Sequence, residues 1–260
     1  MTHPAQHRWS IVVAGCGLLL GALTVAGGAE AASPSLLHPA TAAANQPSSS
    51  DLRIRPLPSP NQFAKTVRNP YLPLIPGTRW IYRGGSAGEE RIVVKVLHRT
   101  KQIEGITATV VRDTVSANGQ LIEDTFDWFA QDCRGRVWYL GEATKEYKHG
   151  VVVSTEGSWE TGVDGARAGI AMLAHPKVGV RYRQEYLEGE AEDIGRVLAG
   201  GMKVAGPFGH SRHVVMTKDT TSLDRSIVEL KFYAPGIGVV REIDLNPEQG
   251  STDLIRMVKP

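Results

Sequence analysis

Asp113 and Asp124 flank the dipeptide Asn118-Gly119 at equal reach. Asn-Gly between runs of β-branched and apolar residues signals a two-residue hairpin turn, because both turn positions must accept positive φ. With that loop Ala117 pairs with Gln120, Val115 faces Ile122, Asp113 faces Asp124 and Val111 faces Phe126, all on one side of the sheet. Two carboxylates opposed on an otherwise apolar face repel each other. A bridging arginine from a neighbouring strand would resolve them, as would a bulge that shifts the register or a cavity in which they bind a ligand. Two carboxyls held in different environments could also do the general acid–base work of a hydrolase, or supply oxygen ligands to a divalent cation. On the other side Arg112 faces Thr125 with Glu123 and Asp127 diagonal to it, an ion-pair cluster that needs no function.

Nine aromatic residues, Phe126, Trp128, Phe129, Trp138, Tyr139, Tyr147, Trp159, Tyr182 and Tyr186, fall close together in the chain. Acids are interleaved with them: Glu142, Glu146, Glu156, Glu160, Asp164, Glu185, Glu188, Glu190, Glu192 and Asp193. Flat apolar rings beside hydrogen-bonding acids suit a polar organic ligand such as a sugar, although a β barrel also uses aromatics as core and acids as surface. The candidate ligand set is therefore Asp113, Asp124, Phe126, Trp128, Trp138, Trp159, Tyr182, Glu185 and Tyr186. No catalytic residue can be named, and neither a metal nor a cofactor is expected. The chain contains no H-E-x-x-H, C-x-x-C or G-x-x-x-x-G-K, the spacings that carry zinc, redox and phosphate chemistry. His210 and His213 stand three apart, which on a strand sends them to opposite faces. Cys133, beside Arg134, falls in an expected tight turn.

The elements that would position these residues are strands. Ile106–Ser116, Leu121–Gln131, Arg136–Gly141 and Val151–Val153 form a meander punctuated by Asn118-Gly119, Asp132-Cys133-Arg134-Gly135 and Lys148-His149-Gly150. Thr78–Arg83 and Arg91–Arg99 precede it. Val180–Leu187, His213–Lys218, Val228–Tyr233, Val239–Ile243 and Leu254–Val258 follow. Ala166–Ala174 reads as a short helical patch, and long helical periodicity is absent. The fold class expected is mostly β, a single antiparallel sheet curled into a barrel or half-barrel, since so many strands do not stay flat.

Before this domain, Arg8 with an apolar run from Ile11 to Val25 and Ala29-Glu30-Ala31 supply the three parts of a secretory signal peptide, residues 1–31. The run is shorter than the roughly 20 residues a membrane span needs, so no stable membrane span is expected after signal removal. Val13-Ala14-Gly15-Cys16 looks like a lipidation signal, but most of the apolar residues follow Cys16 rather than precede it. Residues 32–60, rich in Ala, Ser and Pro, read as a disordered spacer, and residues 61–260 as one domain. The formal net charge is +2, without the basic stripe of a nucleic-acid binder. Cys133 is left alone after cleavage, so the fold stands on its core rather than on disulfides.

Asn69-Pro70-Tyr71-Leu72-Pro73-Leu74 with Pro76-Gly77-Thr78-Arg79-Trp80, Asp127-Trp128-Phe129-Ala130-Gln131-Asp132, and Phe232-Tyr233-Ala234-Pro235-Gly236-Ile237-Gly238-Val239-Val240 together resemble the opening, middle and closing segments of the TapB-like secreted bacterial proteins of unknown function. The resemblance spans roughly Asn69 to Val240. It departs at Pro207-Phe208-Gly209-His210, where relatives often carry a PAGTF-like segment. It implies an envelope β protein and supplies no activity or cofactor. The function expected is that of an exported, non-enzymatic protein, secreted or held in the cell envelope. It would bind a small molecule, lipid or cell-wall component on a concave β surface.

Overall fold

The computed structural model describes residues 52–246 and 250–260. The signal peptide and residues 32–51 of the spacer lie outside the described residues. From Leu57 onward the chain is packed: Leu57 and Phe63 lie against a buried cluster on the barrel wall, and Pro60–Gln62 makes a single 3-10 turn.

Seventeen strands follow: β1 (Val67–Asn69), β2 (Leu72–Leu74), β3 (Arg79–Gly84), β4 (Glu90–Ile103), β5 (Ile106–Ala117), β6 (Gln120–Gln131), β7 (Val137–Lys148), β8 (Val151–Ser154), β9 (Trp159–Glu160), β10 (Arg167–Met172), β11 (Arg181–Arg183), β12 (Glu185–Tyr186), β13 (Asp193–Gly206), β14 (Gly209–Thr221), β15 (Val228–Ala234), β16 (Gly238–Asp244) and β17 (Ser251–Val258). Fifteen belong to one antiparallel sheet whose path runs from β11 through β13–β17, β3–β7 and β10 to β12. The two ends of that path are consecutive in sequence, separated by Gln184 alone. One short bent segment, residues 181–186, therefore pairs with β13 on one side and β10 on the other and closes the sheet into a barrel. Closure removes the open edges that a flat sheet of this size would expose.

No α-helix occurs among the described residues. The expected helical patch at Ala166–Ala174 is instead β10, paired to β7 through Gly169↔Tyr139 and Ile170↔Trp138. Alanine favours helix, but propensity is a weak prior that tertiary pairing overrides, and here the small Gly169 serves close approach. A Cβ on Gly169 would stand 2.3 Å from the Gln184 carbonyl.

Directly paired residues share a face, so the register carries one face around the sheet. Asp219 stands beside Glu229, Lys231 beside Thr217 and Glu242, Leu254 beside Tyr82, Val94 beside Asp113, and Val111 beside Asp127, which stands beside Glu142. This is the inner face. Its apolar part, with Trp80, Ile92, Val94, Val96, Val111 and Phe129, packs with Val67, Leu72 and Leu74 of the small β1–β2 hairpin. That hairpin plugs one end. Asn69 Nδ2 donates to the carbonyls of Gly135 and Leu173, and the Gly236 amide donates to the Pro70 carbonyl. Acids occupy the other end. Glu90 opens β4, Asp193 opens β13, Glu229 is second in β15, and Asp219 and Glu242 lie two residues before the ends of their strands.

Candidate functional site

The Asn118-Gly119 turn forms as expected, with φ of 51° and 79° and Ala117 opposite Gln120. One residue later the register shifts. Ser116 pairs with Leu121 but Val115 pairs with Glu123, leaving Ile122 as an extra residue. Asp113 consequently faces Thr125, Thr114 faces Asp124, and Val111 faces Asp127 rather than Phe126. The expected Asp113–Asp124 pair does not exist, because the two lie on opposite faces. Such a bulge bends a strand and raises its twist, as closing the barrel requires. Asp124 lies outside, where the Arg112 guanidinium donates to both its oxygens at 2.6 and 2.9 Å. The expected Arg112–Thr125 grouping is replaced by this fork.

The other candidates divide the same way. Phe126 lies on the outer face beneath the guanidinium groups of Arg99 and Arg112, and the Lys101 ammonium sits 3.4 Å from the Trp128 ring centre. Trp138 is buried with its Nε1 donating to Asp132 at 2.9 Å, and Tyr186 is covered by Arg183. These are wall residues. Asp113, Trp159, Tyr182 and Glu185 belong to the interior. Trp159 Nε1 donates to Glu185 at 3.0 Å, and its ring stands edge-on to Tyr139 at 5.3 Å.

Sequence reasoning missed Lys231 and the acids around it, Asp219, Glu229 and Glu242. Lys231 is completely buried. Its ammonium lies 3.1 Å from Glu229, 3.4 Å from Asp219 and 3.9 Å from Glu242. Burial alone would drive the Lys231 pKa down, but Glu229, Glu242 and Asp219 together raise it well above the ordinary lysine value. Further along the inner face, Tyr139 donates to Asp127 at 2.8 Å and Thr144 donates to Glu142 at 3.0 Å. Burial pushes the Asp127 carboxyl up to about 7. Glu142 is pushed well above the usual carboxylate range by burial and by Asp127, Glu123 and Asp193. Glu185 is driven the same way by burial, Asp193 and Glu142, and Asp193 by burial and Glu229.

One oxygen each of Asp127, Glu142, Glu185, Asp193 and Asp219 is buried without a hydrogen-bond partner among the described residues. A buried carboxylate in that condition must hold a proton or find a cation. Lys231 is within ion-pair distance of Glu229, Asp219 and Glu242, and at longer range its charge only partly offsets the upward shifts of Asp193 and Glu185. The signal for this site was alternation: Glu229, Lys231 and Tyr233 stand two apart and share one strand face. Their partners on β14 and β16 became visible only once the register was fixed. Among the described residues no group of three or more His, Cys, Asp or Glu side chains is arranged to hold a metal ion, and no helix is long and apolar enough to cross a membrane.

No family model matches the chain, and no curated protein matches it. The resemblance to the TapB-like proteins rests on the segments quoted above. Solved structures similar to it include a Bacteroides fragilis protein with a YmcC-like fold, provisionally described as exported. It is 14% identical with a TM-score of 0.43, over 73% of this chain and 99% of that chain. Another is a Parabacteroides distasonis protein provisionally described as a lipoprotein, 10% identical with a TM-score of 0.39, over 72% of this chain and 98% of that chain.

Proposed function

We propose that this chain is an exported cell-envelope protein whose barrel binds a cationic small molecule, an organic amine, among the carboxylates of its acidic end. The export half of the reading is supported by the complete signal-peptide pattern of residues 1–31. The binding half rests on one observation: among the described residues, the five buried carboxyl oxygens without partners named above lie beside a single buried ammonium. Lys231 illustrates the chemistry that suits this interior, a primary ammonium held by several carboxylates at once. A bound amine would extend that arrangement to Asp127, Glu142, Glu185 and Asp193, with the Tyr139 and Trp159 rings supplying flat faces to its methylenes. Carboxyls with raised pKa values must lose protons to take up a cation, so binding strengthens as pH rises.

Spermidine titrated into the protein, with thermal unfolding as readout, tests this. A rise in Tm of several degrees at pH 8, much smaller at pH 5.5, and lost in the Glu142→Gln, Asp193→Asn double variant, is expected. Calcium raising the Tm where spermidine does not would replace the amine with a divalent cation. A response to spermidine no larger than to sodium chloride at matched ionic strength would sink the binding reading.

A further inference from the structure

A second site lies on the outside of the barrel, at the plugged end. The turn between β6 and β7 is built around Asp132, which accepts from the amides of Arg134 and Arg136 at 2.9 and 3.0 Å, from Arg136 Nε at 2.7 Å and from Trp138 Nε1. The Arg136 guanidinium also stands over the Trp138 ring. Against this turn the N-terminal segment is pinned: the Cys133 amide donates to the Gln62 carbonyl at 2.7 Å, and the Ala64 amide to the Gln131 carbonyl at 2.8 Å. Between segment and turn is a cleft of about 380 Å³, lined by Arg55, Ser59, Gln62, Cys133, Arg134 and Arg136 among others.

The charges in this cleft do not cancel. Asp132 is matched to Arg136. Among the described residues neither Arg55 nor Arg134 has a carboxylate within ion-pair distance, which leaves two positive charges over. Neutral donors stand beside them. Gln62 Oε1 already accepts the Ser59 amide, so the Gln62 side-chain NH₂ group is left to donate. Guanidinium forks match phosphate oxygens in shape and charge, and a phosphate monoester carries close to two negative charges near neutrality. The volume exceeds that of a bare ion and falls within the usual range of small-molecule sites.

We propose that this cleft binds the phosphate group of a small phosphomonoester, with Arg55 and Arg134 as its charge partners and Arg136, held by Asp132, as a fixed third donor. Unlike the amine site, it requires no deprotonation of the protein and uses none of the same residues.

Cys133 lines the cleft with an exposed side chain and reports on its occupancy. The test measures alkylation of Cys133 by iodoacetamide, a neutral reagent, followed by mass spectrometry of the Cys133 peptide. Glucose 6-phosphate at millimolar concentration is expected to slow alkylation several-fold, and glucose not at all. The Arg55→Gln, Arg134→Gln double variant should lose the protection while keeping the wild-type thermal transition. Protection by inorganic phosphate equal to that by glucose 6-phosphate would keep the phosphate assignment and give the site to the free ion. Equal protection by sodium chloride at matched ionic strength, or undiminished protection in the double variant, would overturn the proposal.

Discussion

At the scale of single residues, the barrel wall separates two kinds of carboxylate whose sequence neighbourhoods look alike. Asp124 is answered by a fork from Arg112, whose side chain is 44% exposed. Asp124→Asn should therefore cost about 1 kcal/mol in urea unfolding, the scale of one charge-assisted bond near solvent. Lys231 stands at the opposite extreme. Lys231→Met removes the cation from Glu229, Asp219 and Glu242 and should cost about 3–5 kcal/mol, the usual loss when one partner of a buried ion pair is deleted. Glu142→Gln should do the reverse. It keeps an acceptor for Thr144 and deletes a charge that Asp127 opposes, so at pH 7.5 stability should stay level or rise, by up to about 1 kcal/mol. A urea midpoint lowered as far by Glu142→Gln as by Lys231→Met would show that Glu142 is a structural anion. The Asp113–Asp124 expectation failed here for a definite reason: a register argument is only as good as its distance from the nearest bulge, and Ile122 intervenes after two pairs.

At the scale of elements, barrel closure depends on the six residues 181–186 bridging β10 and β13. Gly169 makes the approach possible, since any Cβ there meets the Gln184 backbone at 2.3 Å. Gly169→Ala should cost about 2–4 kcal/mol, in the range of other overpacked sites. The loss should be local: amides of residues 181–186 exchange faster in hydrogen–deuterium exchange while those of β5 and β6 keep their protection. Uniform loss of protection would mean that closure is not a separable unit. The strands legible in sequence were those with β-branched runs between turn signals, such as β5, β6, β15 and β16. β1 and β2 escaped because each is only three residues long, with Pro70 between them and Pro73 inside β2. β10 and β13 escaped because Ala and Gly dominate where backbones approach closely. Of the candidate site, the acids and aromatics of the interior were legible as types. Their grouping was not, because it depends on pairings among β14, β15 and β16 that no local pattern encodes.

At the scale of the molecule, the barrel has an apolar half closed by the β1–β2 hairpin and an acidic half organised around Lys231, and this division sets how stability responds to pH. Asp127, Glu142, Glu185, Asp193, Glu229 and Glu242 all titrate above their ordinary values because burial disfavours their charged forms. Across the interval from their unfolded values to their folded ones, the native chain holds more protons than the unfolded chain, so unfolding becomes easier as pH rises. The contribution of these carboxyls is complete below about pH 4, the ordinary carboxyl range. It is lost as pH climbs through the folded values, about 7 in the case of Asp127. Lys231 does not disturb this window, because its own raised value lies beyond the ordinary lysine range. Asp132, Glu192 and Asp224 are shifted the other way by hydrogen bonds, and their contribution is lost as pH falls through their depressed values, at the acid edge. The urea midpoint should therefore peak between about pH 4 and 5 and decline steadily to pH 8, the opposite of a protein held by surface carboxylate pairs. If an amine occupies the acidic end, saturating spermidine should lift the midpoint most at pH 8 and flatten the decline, since the cation takes the place of the protons. A midpoint higher at pH 8 than at pH 5 without added amine would mean that the interior carboxylates are already compensated in solution, and the amine reading would lose its physical basis.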